Sequence, residues 1–225
     1  MPVSYSPSLN VSDSPSKGPD ERFFSGGGGG GSSGPTLLVY DSFTDTNGTP
    51  IESHAPDTNN LSGGWVEFGS GSGGVTIVSN ACRINNWNGG YYIDADGQTE
   101  VICESGNGDV TANNEPALAA RVIDFDNLFF IVALSSFYRI RERTGGTITD
   151  RATTPHNNSL SDSYWFSDNG EEITAGINRG AAVISYSSTT HNTSKKYGGA
   201  WFSNTTADYD DFYLMSGTTD PADLP

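Results

Sequence analysis

Short runs of β-branched and aromatic residues, separated by turn-forming residues, are the feature that most constrains this chain. The runs fill the sequence from Leu37 to Met215. Gly and Asn separate them, because these residues adopt the backbone conformations that end a strand. Such breaks lie at residues 88–90, 106–108, 145–146 and 169–170. No window keeps a helical period for long, so the pattern predicts an all-β sandwich.

Several segments make this prediction more specific. Residues 129–134 are the most apolar run and predict a central strand buried on both faces. Residues 139–143 alternate, which predicts a strand with three arginines on one solvated face. Cys82 and Cys103 each lie in a strand-like run and are expected to be buried thiols, with a single disulfide left open.

Length and charge narrow the function classes. Residues 1–35 are low in complexity, which leaves about 190 residues for one β domain. The net charge of −16 argues against nucleic acid as a partner, because phosphate binding needs a basic patch. No apolar run is long enough to span a membrane, and no signal peptide is evident, so we expect synthesis in a cytoplasm without export.

The two ends of the chain differ from the β domain. Residues 1–35 are rich in Ser, Pro and Gly and predict an extended arm that is disordered in isolation. Arg22, Phe23 and Phe24 precede its glycine run. Adjacent aromatic residues in such an arm predict an anchor that orders on a partner protein; a linker with chance aromatics is the alternative. Residues 217–225 form a short acidic tail.

A set of spaced residues opens the β domain, and a Tyr-Asp-Asp-Phe element at residues 209–212 closes it. The opening set is Asp41, Phe43, Gly48, Thr49, Ile51, His54, Pro56, Asp57, Gly64 and Trp65. Together the two elements resemble concanavalin A-like, or laminin G-like, jelly-roll domains, which occur in bacterial and phage surface proteins. The resemblance departs from the family pattern where residues 59–62 lengthen the link to Trp65.

The resemblance implies a two-sheet antiparallel jelly-roll sandwich over residues 36–216, with the first and last strands side by side. Phe43 and Trp65 are expected in the core, and His54 is expected to hydrogen-bond backbone groups. Glycoside hydrolases of this family carry a strand with closely spaced carboxylates, a pattern that this sequence lacks. We therefore predict no catalytic residues and a protein that is not an enzyme.

An amide-rich turn with aromatic residues is the candidate carbohydrate site. Asn86, Trp87 and Tyr91 lie within it, and a Trp beside amides can stack on a sugar ring while the amides bind hydroxyls. Residues 163–166 are a second candidate. In both places the alternative is that the aromatic side chains cover the core or a subunit contact.

Four carboxylates form the candidate metal site. Relatives often bind calcium through loop oxygens, and Asp41 would join three acids of the last strand. These are Asp208, Asp210 and Asp211. The alternative is an acidic edge that discourages pairing between sheets.

Two functions follow from these features. The first is a virion structural protein, a phage capsid decoration, cement or fibre-like protein. Its arm would bind a major capsid or tail protein and its jelly roll would project outward. Because an arm loses entropy when it docks, firm attachment needs several arms, so a homo-oligomer is expected. The alternative is a carbohydrate-binding module or adhesin at an extracellular surface, which binds glycans without catalytic activity.

Overall fold

Strands make up most of the described part of the chain in this computed structural model. The structure describes residues 34–70, 74–85, 88–107, 117–134, 136–157, 162–202 and 206–225. The strands are β1 Thr36–Asp41, β2 Thr58–Asn59, β3 Val66–Ser70, β4 Val75–Ile77, β5 Cys82–Asn85, β6 Asn88–Asp94, β7 Val101–Asn107, β8 Ala117–Asp124, β9 Asn127–Leu134, β10 Phe137–Thr144, β11 Thr147–Pro155, β12 Tyr164–Asp168, β13 Glu172–Ile177, β14 Ile184–Ser187, β15 Lys196–Phe202 and β16 Thr206–Ser216.

Helical structure is minor. Two 3₁₀ turns, Ile51–Ser53 and Pro221–Asp223, are the helical segments within these ranges. Neither has the length or the apolar character that a membrane-crossing helix needs. The prediction of an all-β protein is therefore confirmed for the described residues.

The strands form two antiparallel sheets. Sheet A has the order β14-β13-β12-β7-β16-β1-β2, with β5 also paired to β16 and β4 paired to β5. Sheet B has the order β11-β10-β9-β8-β15-β6-β3. The first and last strands pair, with Thr36 opposite Ser216. The two-sheet jelly-roll sandwich is confirmed, as is the adjacency of β1 and β16.

The main core lies between the inward faces of the sheets. Phe129 and Ile131 of β9 meet Phe166 of β12 there. Alternate residues of β9 point the other way, and Phe130 and Val132 join a second buried cluster on the outer face of sheet B. Strand β9 is therefore buried on both faces, as its apolar sequence predicts.

The arginines of β10 correct one expectation. Arg139 and Arg141 pair with Asp150, and Arg143 pairs with Asp126. Their side chains are 21%, 19% and 14% exposed, so the prediction of a solvated face is wrong. The charged ends are held by carboxylates, and the guanidinium group of Arg143 also lies 3.8 Å from the centre of the Phe125 ring, which packs against the outer cluster.

The predicted buried thiols are confirmed. Cys82 and Cys103 are both buried and unpaired. Burial raises the pKa of each thiol well above its usual value, because a thiolate is poorly solvated in the core. Neither cysteine is therefore a reactive nucleophile at neutral pH.

Candidate functional site

The opening motif builds a buried hydrogen-bond network. Asp41 Oδ2 accepts the indole N–H of Trp65 at 2.6 Å, and Oδ1 accepts the backbone N–H of Phe43 at 2.7 Å. Asp41 Oδ1 also lies 2.9 Å from Nε2 of His54, whose Nδ1 lies 3.1 Å from Asp45 Oδ2. Phe43 and Trp65 are in the core as predicted. The expectation that His54 binds backbone groups is wrong, since its ring bridges two carboxylates.

This network shifts the pKa values of its members. Burial raises the pKa of Asp41. Burial alone would lower the pKa of His54, but its hydrogen bonds to Asp41 and Asp45 outweigh that effect and the pKa lies above its usual 6.5. The hydrogen bond from His54 lowers the pKa of Asp45. The two carboxylates therefore favour the protonated form of His54, and both of its ring nitrogens are occupied by hydrogen bonds within the fold.

The predicted calcium site does not form. Asp41 faces the core, Asp208 accepts two hydrogen bonds from Arg83, and Asp211 accepts the hydroxyl of Tyr40. The set of Asp41, Asp208, Asp210 and Asp211 is not brought together. Across the described ranges, no group of three or more His, Cys, Asp or Glu side chains is placed to hold a metal ion.

The predicted carbohydrate residues divide into two groups. Asn86 and Trp87 lie outside the described residues. Tyr91 is fully buried and packs edge-on against Trp65, with ring centres 5.2 Å apart. The prediction that Tyr91 contacts a sugar is therefore wrong, because a core ring offers no face to a ligand. The next residue, Tyr92, points to the outer face of sheet B and is half-buried.

The second aromatic candidate is also covered. Trp165 lies on the outer face of sheet A but is only 1% exposed. Leu224, from the C-terminal residues, packs over it together with Ile102 and Met215. Residues 163–166 therefore present no exposed aromatic surface. The alternative interpretation, that their aromatic side chains cover a core, is the one that fits the structure.

A pocket of about 270 Å³ opens where β6 ends and β15 begins, and we call it the β6–β15 pocket. Its lining residues are Asp94, Asp96, Ile123, Thr193, Ser194, Lys195 and Lys196. Asp94 and Lys196 are directly opposite each other in the strand pairing. Tyr92 lies two residues before Asp94 and on the same face, because alternate residues of a strand share a face.

Aromatic side chains continue from this pocket along the outer face of sheet B. The ammonium group of Lys196 lies 4.9 Å from the centre of the Tyr92 ring. The Phe68 ring packs against Tyr92, with centres 5.9 Å apart. The polar groups of the pocket therefore adjoin an aromatic surface formed by Tyr92 and Phe68. The sequence pattern indicates the neighbouring turn but none of these residues.

A buried ion pair holds β15 in place beneath the pocket. Arg121 and Asp168 form two hydrogen bonds of 3.0 and 2.7 Å, and both side chains are completely buried. Tyr197 of β15 donates its hydroxyl to Asp168 at 3.1 Å. Since Tyr197 follows the two pocket lysines, this network ties the pocket wall to both sheets.

Glycines allow β6 and β15 to approach closely. A Cβ at Gly198 would lie 2.0 Å from the carbonyl oxygen of Tyr91, and one at Gly90 would lie 2.0 Å from that of Gly199. No side chain fits at either position. The spacing of the strands that carry Tyr92 and Lys196 therefore depends on these two glycines.

Comparison with known proteins places the fold. No protein-family model and no curated protein sequence matches the chain. Solved structures do match. Domain 4 of the arabinanase AbnA from Geobacillus stearothermophilus, in complex with arabinotriose, is 12% identical with a TM-score of 0.51, covering 84% of this chain and 97% of that domain. The fold is a concanavalin A-like jelly roll.

Two further structures support this assignment. β-Agarase B, in complex with agaro-octaose, is 8% identical with a TM-score of 0.53, and the match covers 81% of this chain and 94% of that one. Xylan β-1,4-xylosidase from Bacillus halodurans C-125 is 10% identical with a TM-score of 0.52, and the match covers 78% of this chain. It covers only 38% of the xylosidase, so the jelly roll spans less than half of that protein.

These structures correct the prediction that the chain is not an enzyme. That prediction is wrong, because it treated the absence of one carboxylate pattern as evidence against any enzymatic activity. Structures that share the jelly roll come from a xylosidase, an arabinanase and an agarase. A jelly roll of this kind therefore gives no ground for excluding catalysis.

Proposed function

We propose that this chain is a carbohydrate-binding domain whose site is the β6–β15 pocket together with Tyr92. The observation that carries the proposal is the contact between an outward aromatic ring and a polar pocket. Sugars are bound by an apolar ring face and by several hydrogen-bonding groups, and this surface supplies both. The pocket lies just below the range of about 300–1,000 Å³ for small-molecule sites, which suits the end of an oligosaccharide.

The comparisons support carbohydrate recognition over a purely structural role. The arabinanase domain was solved with arabinotriose and the agarase with agaro-octaose. Both matches cover most of each chain. The proposal for this chain rests on its own Tyr92 surface, and the shared fold is consistent with it.

The test is glycan binding by the full chain and two variants. Isothermal titration with arabino-, agaro-, xylo- and galacturono-oligosaccharides should give binding to at least one class. Tyr92→Ala should weaken that binding about tenfold or more, since burial of a large apolar side chain contributes about 1.5–3 kcal/mol. Tyr40→Ala is the matched control, because Tyr40 is a half-buried tyrosine that stacks on Tyr213 in sheet A. Equal effects of both variants would refute the assigned site.

Glycoside hydrolysis is a second candidate at the same pocket. Asp94 and Asp96 both line it, and most glycosidases use two carboxylates around the scissile bond. Release of reducing ends from a bound oligosaccharide would reveal activity. Asp94→Asn and Asp96→Asn should each abolish that release while leaving the sugar bound; release that persists in both variants would eliminate these residues as the catalytic pair.

The role in a virus particle stays a prediction. Its anchor, Arg22, Phe23 and Phe24, lies outside the described residues, and so does nearly all of residues 1–35. The virion location, the capsid or tail partner and the homo-oligomer stay predictions with it. Deleting residues 1–35 should abolish incorporation into particles and leave the sandwich folded; unchanged incorporation would exclude the anchor.

A further inference from the structure

Residues 218–225 lie against the outer face of sheet A, and we call them the C-terminal strap. The side chain of Leu224 in this strap is only 6% exposed. It packs in a cluster with side chains from β1, β7, β12 and β16, which are Leu37, Ile102, Trp165, Tyr213 and Met215. Leu224 therefore fills an apolar groove whose walls come from four strands of one sheet.

A charged residue holds the backbone of the strap. Nη1 of Arg179 donates hydrogen bonds to the carbonyl oxygens of Leu224, at 3.4 Å, and of Pro225. The Nε and Nη2 atoms of Arg179 bind the carboxylate of Glu104 at 2.8 and 2.7 Å. Glu104 is itself buried and also accepts the hydroxyl of Ser163 at 2.6 Å. Because Glu104 fixes one side of the guanidinium group, the remaining donors are directed at the strap.

The strap is folded by its own hydrogen bonds. Its 3₁₀ turn, Pro221–Asp223, is capped by the side chain of Asp220. Thr218 donates its hydroxyl to Asp223. Within the described part of the chain, the hydrogen bonds that join the strap to the sandwich are the two from Arg179. The strap is therefore a separate local unit, and its release would break no strand pairing.

The groove also contains a donor that the strap does not satisfy. The indole N–H of Trp165 is buried and has no hydrogen-bond acceptor among the described residues. A buried donor without a partner is unfavourable, since it has lost its hydrogen bond to water. This penalty offsets part of the stabilisation that comes from burying Leu224, so the docked strap is held only moderately.

We infer that the outer face of sheet A carries a peptide-binding groove, which this chain occupies with its own strap. The ligand that fits is a short peptide with a leucine, whose side chain fills the apolar cluster. Arg179 binds the carbonyl groups of the leucine and of the next residue. The groove lies on the opposite outer face from Tyr92, so this inference is independent of the proposed glycan site.

Tethering explains why the strap occupies the groove. A ligand joined to its site by a short link acts at an effective concentration of about millimolar. The link here is Gly217, which follows the end of β16 and has a φ of 74°. A free peptide with the sequence of the strap should therefore bind well only when the attached strap has been weakened.

The experiment titrates a synthetic peptide with the sequence of residues 218–225 into full-length proteins. Leu224→Ser in the protein removes the apolar contact of the attached strap, so the peptide should bind this variant about tenfold or more tightly than the parent. A peptide that carries Leu224→Ser should bind neither protein. Ala222→Ser is the matched control, because Ala222 is an exposed residue of the same strap, and this variant should behave as the parent does.

A further variant tests the arginine. Arg179→Lys, added to Leu224→Ser, keeps a positive charge beside Glu104 but cannot bind that carboxylate and two carbonyl groups at once. It should weaken binding of the unmodified peptide about tenfold. Unchanged affinity would show that Arg179 does not bind the peptide and would overturn the assigned site.

Hydrogen exchange tests the strap in the parent protein alone. The backbone N–H of Leu224 donates to Pro221 within the strap, whereas that of Leu214 lies in β16, which pairs on both sides. The amide of Leu224 should exchange about tenfold or more faster than that of Leu214, because the strap opens without unfolding of the sandwich. Equal rates would show that the strap leaves only on global unfolding, which would overturn the inference.

The remaining outcomes are equally decisive. Equal affinity of the peptide for the parent and for Leu224→Ser would place its binding elsewhere and overturn the inference. Failure of the peptide to bind a Leu224→Ser protein that circular dichroism shows to be folded would also overturn it. Neither experiment involves a glycan, so the proposed carbohydrate function stands or falls separately.

Discussion

Trp65 donates its indole N–H to the carboxylate of Asp41 over 2.6 Å in the core of the sandwich. Trp65 is 3% exposed and Asp41 is not exposed at all. A buried carboxylate is tolerated only when its oxygens accept hydrogen bonds, and Phe43 and His54 provide the others. Asp41 belongs to β1 in sheet A and Trp65 immediately precedes β3 in sheet B, so this bond joins the two layers.

Removing the indole donor should destabilise the fold. Trp65→Phe leaves one oxygen of Asp41 buried without its partner, which costs about 1–3 kcal/mol. Urea unfolding followed by circular dichroism measures the loss. Val66→Ala is the control, because Val66 is 37% exposed and its replacement should change stability by less than about 0.5 kcal/mol. Equal midpoints for Trp65→Phe and the parent would contradict this account.

Stability should fall as the pH rises above neutrality. The pKa of His54 is raised above its usual 6.5 by Asp41 and Asp45, despite burial. Its stabilising contribution is therefore complete below pH 6.5 and is lost as the pH rises through the folded-state pKa. Thermal midpoints measured between about pH 6 and pH 8.5 should decline, and His54→Gln should flatten the profile. His156→Gln should leave the slope as it is; a flat profile in the parent protein would refute the prediction.

Loss of one partner of the buried ion pair should be costly. Arg121→Met leaves the carboxylate of Asp168 buried without its counter-charge, which costs about 3–5 kcal/mol. The double variant Arg121→Met/Asp168→Leu should recover part of this loss, since no unpaired charge remains. Chemical unfolding of both variants measures the difference. If the double variant is no more stable than Arg121→Met, the unpaired carboxylate is not the source of the cost.

The close approach of β6 and β15 should not tolerate a methyl group. Gly198→Ala would place a Cβ 2.0 Å from the carbonyl oxygen of Tyr91, and the resulting strain should cost about 1–3 kcal/mol or more. Gly63→Ala is the matched control, because a Cβ there meets no atom within 4 Å. Unfolding midpoints compare the two variants, and a Gly198→Ala protein as stable as Gly63→Ala would show that the strands can separate without penalty.

The strand pattern and the fold follow from local sequence, whereas the site does not. Residues that break strands and residues that fill them are visible in the sequence, so the sandwich could be predicted. For Tyr91 and Tyr92, alternation shows that one ring faces inward and the other outward, but it does not show which. Tyr91 is the candidate in the sequence, but its packing against Trp65 and Phe43 places it in the core.

The pocket itself depends on long-range pairing. Asp94 and Lys196 are far apart in sequence, and only the register of β6 against β15 brings them together. The contact between Lys196 and the Tyr92 ring is equally invisible in the sequence, because it depends on the same register. Composition shows only the excess of acidic residues, which argues against nucleic acid as a partner and does not locate a site.

The pairing of β1 with β16 has a practical consequence for engineering. Because Thr36 is opposite Ser216, the chain enters and leaves the sandwich at adjacent points of one sheet. The whole sandwich could be inserted into a loop of another protein. Alternatively, the two ends of the sandwich could be joined and new chain termini created in a surface turn. Either rearrangement could leave sheet B uncut, so the proposed glycan site could be transplanted into another protein together with its scaffold.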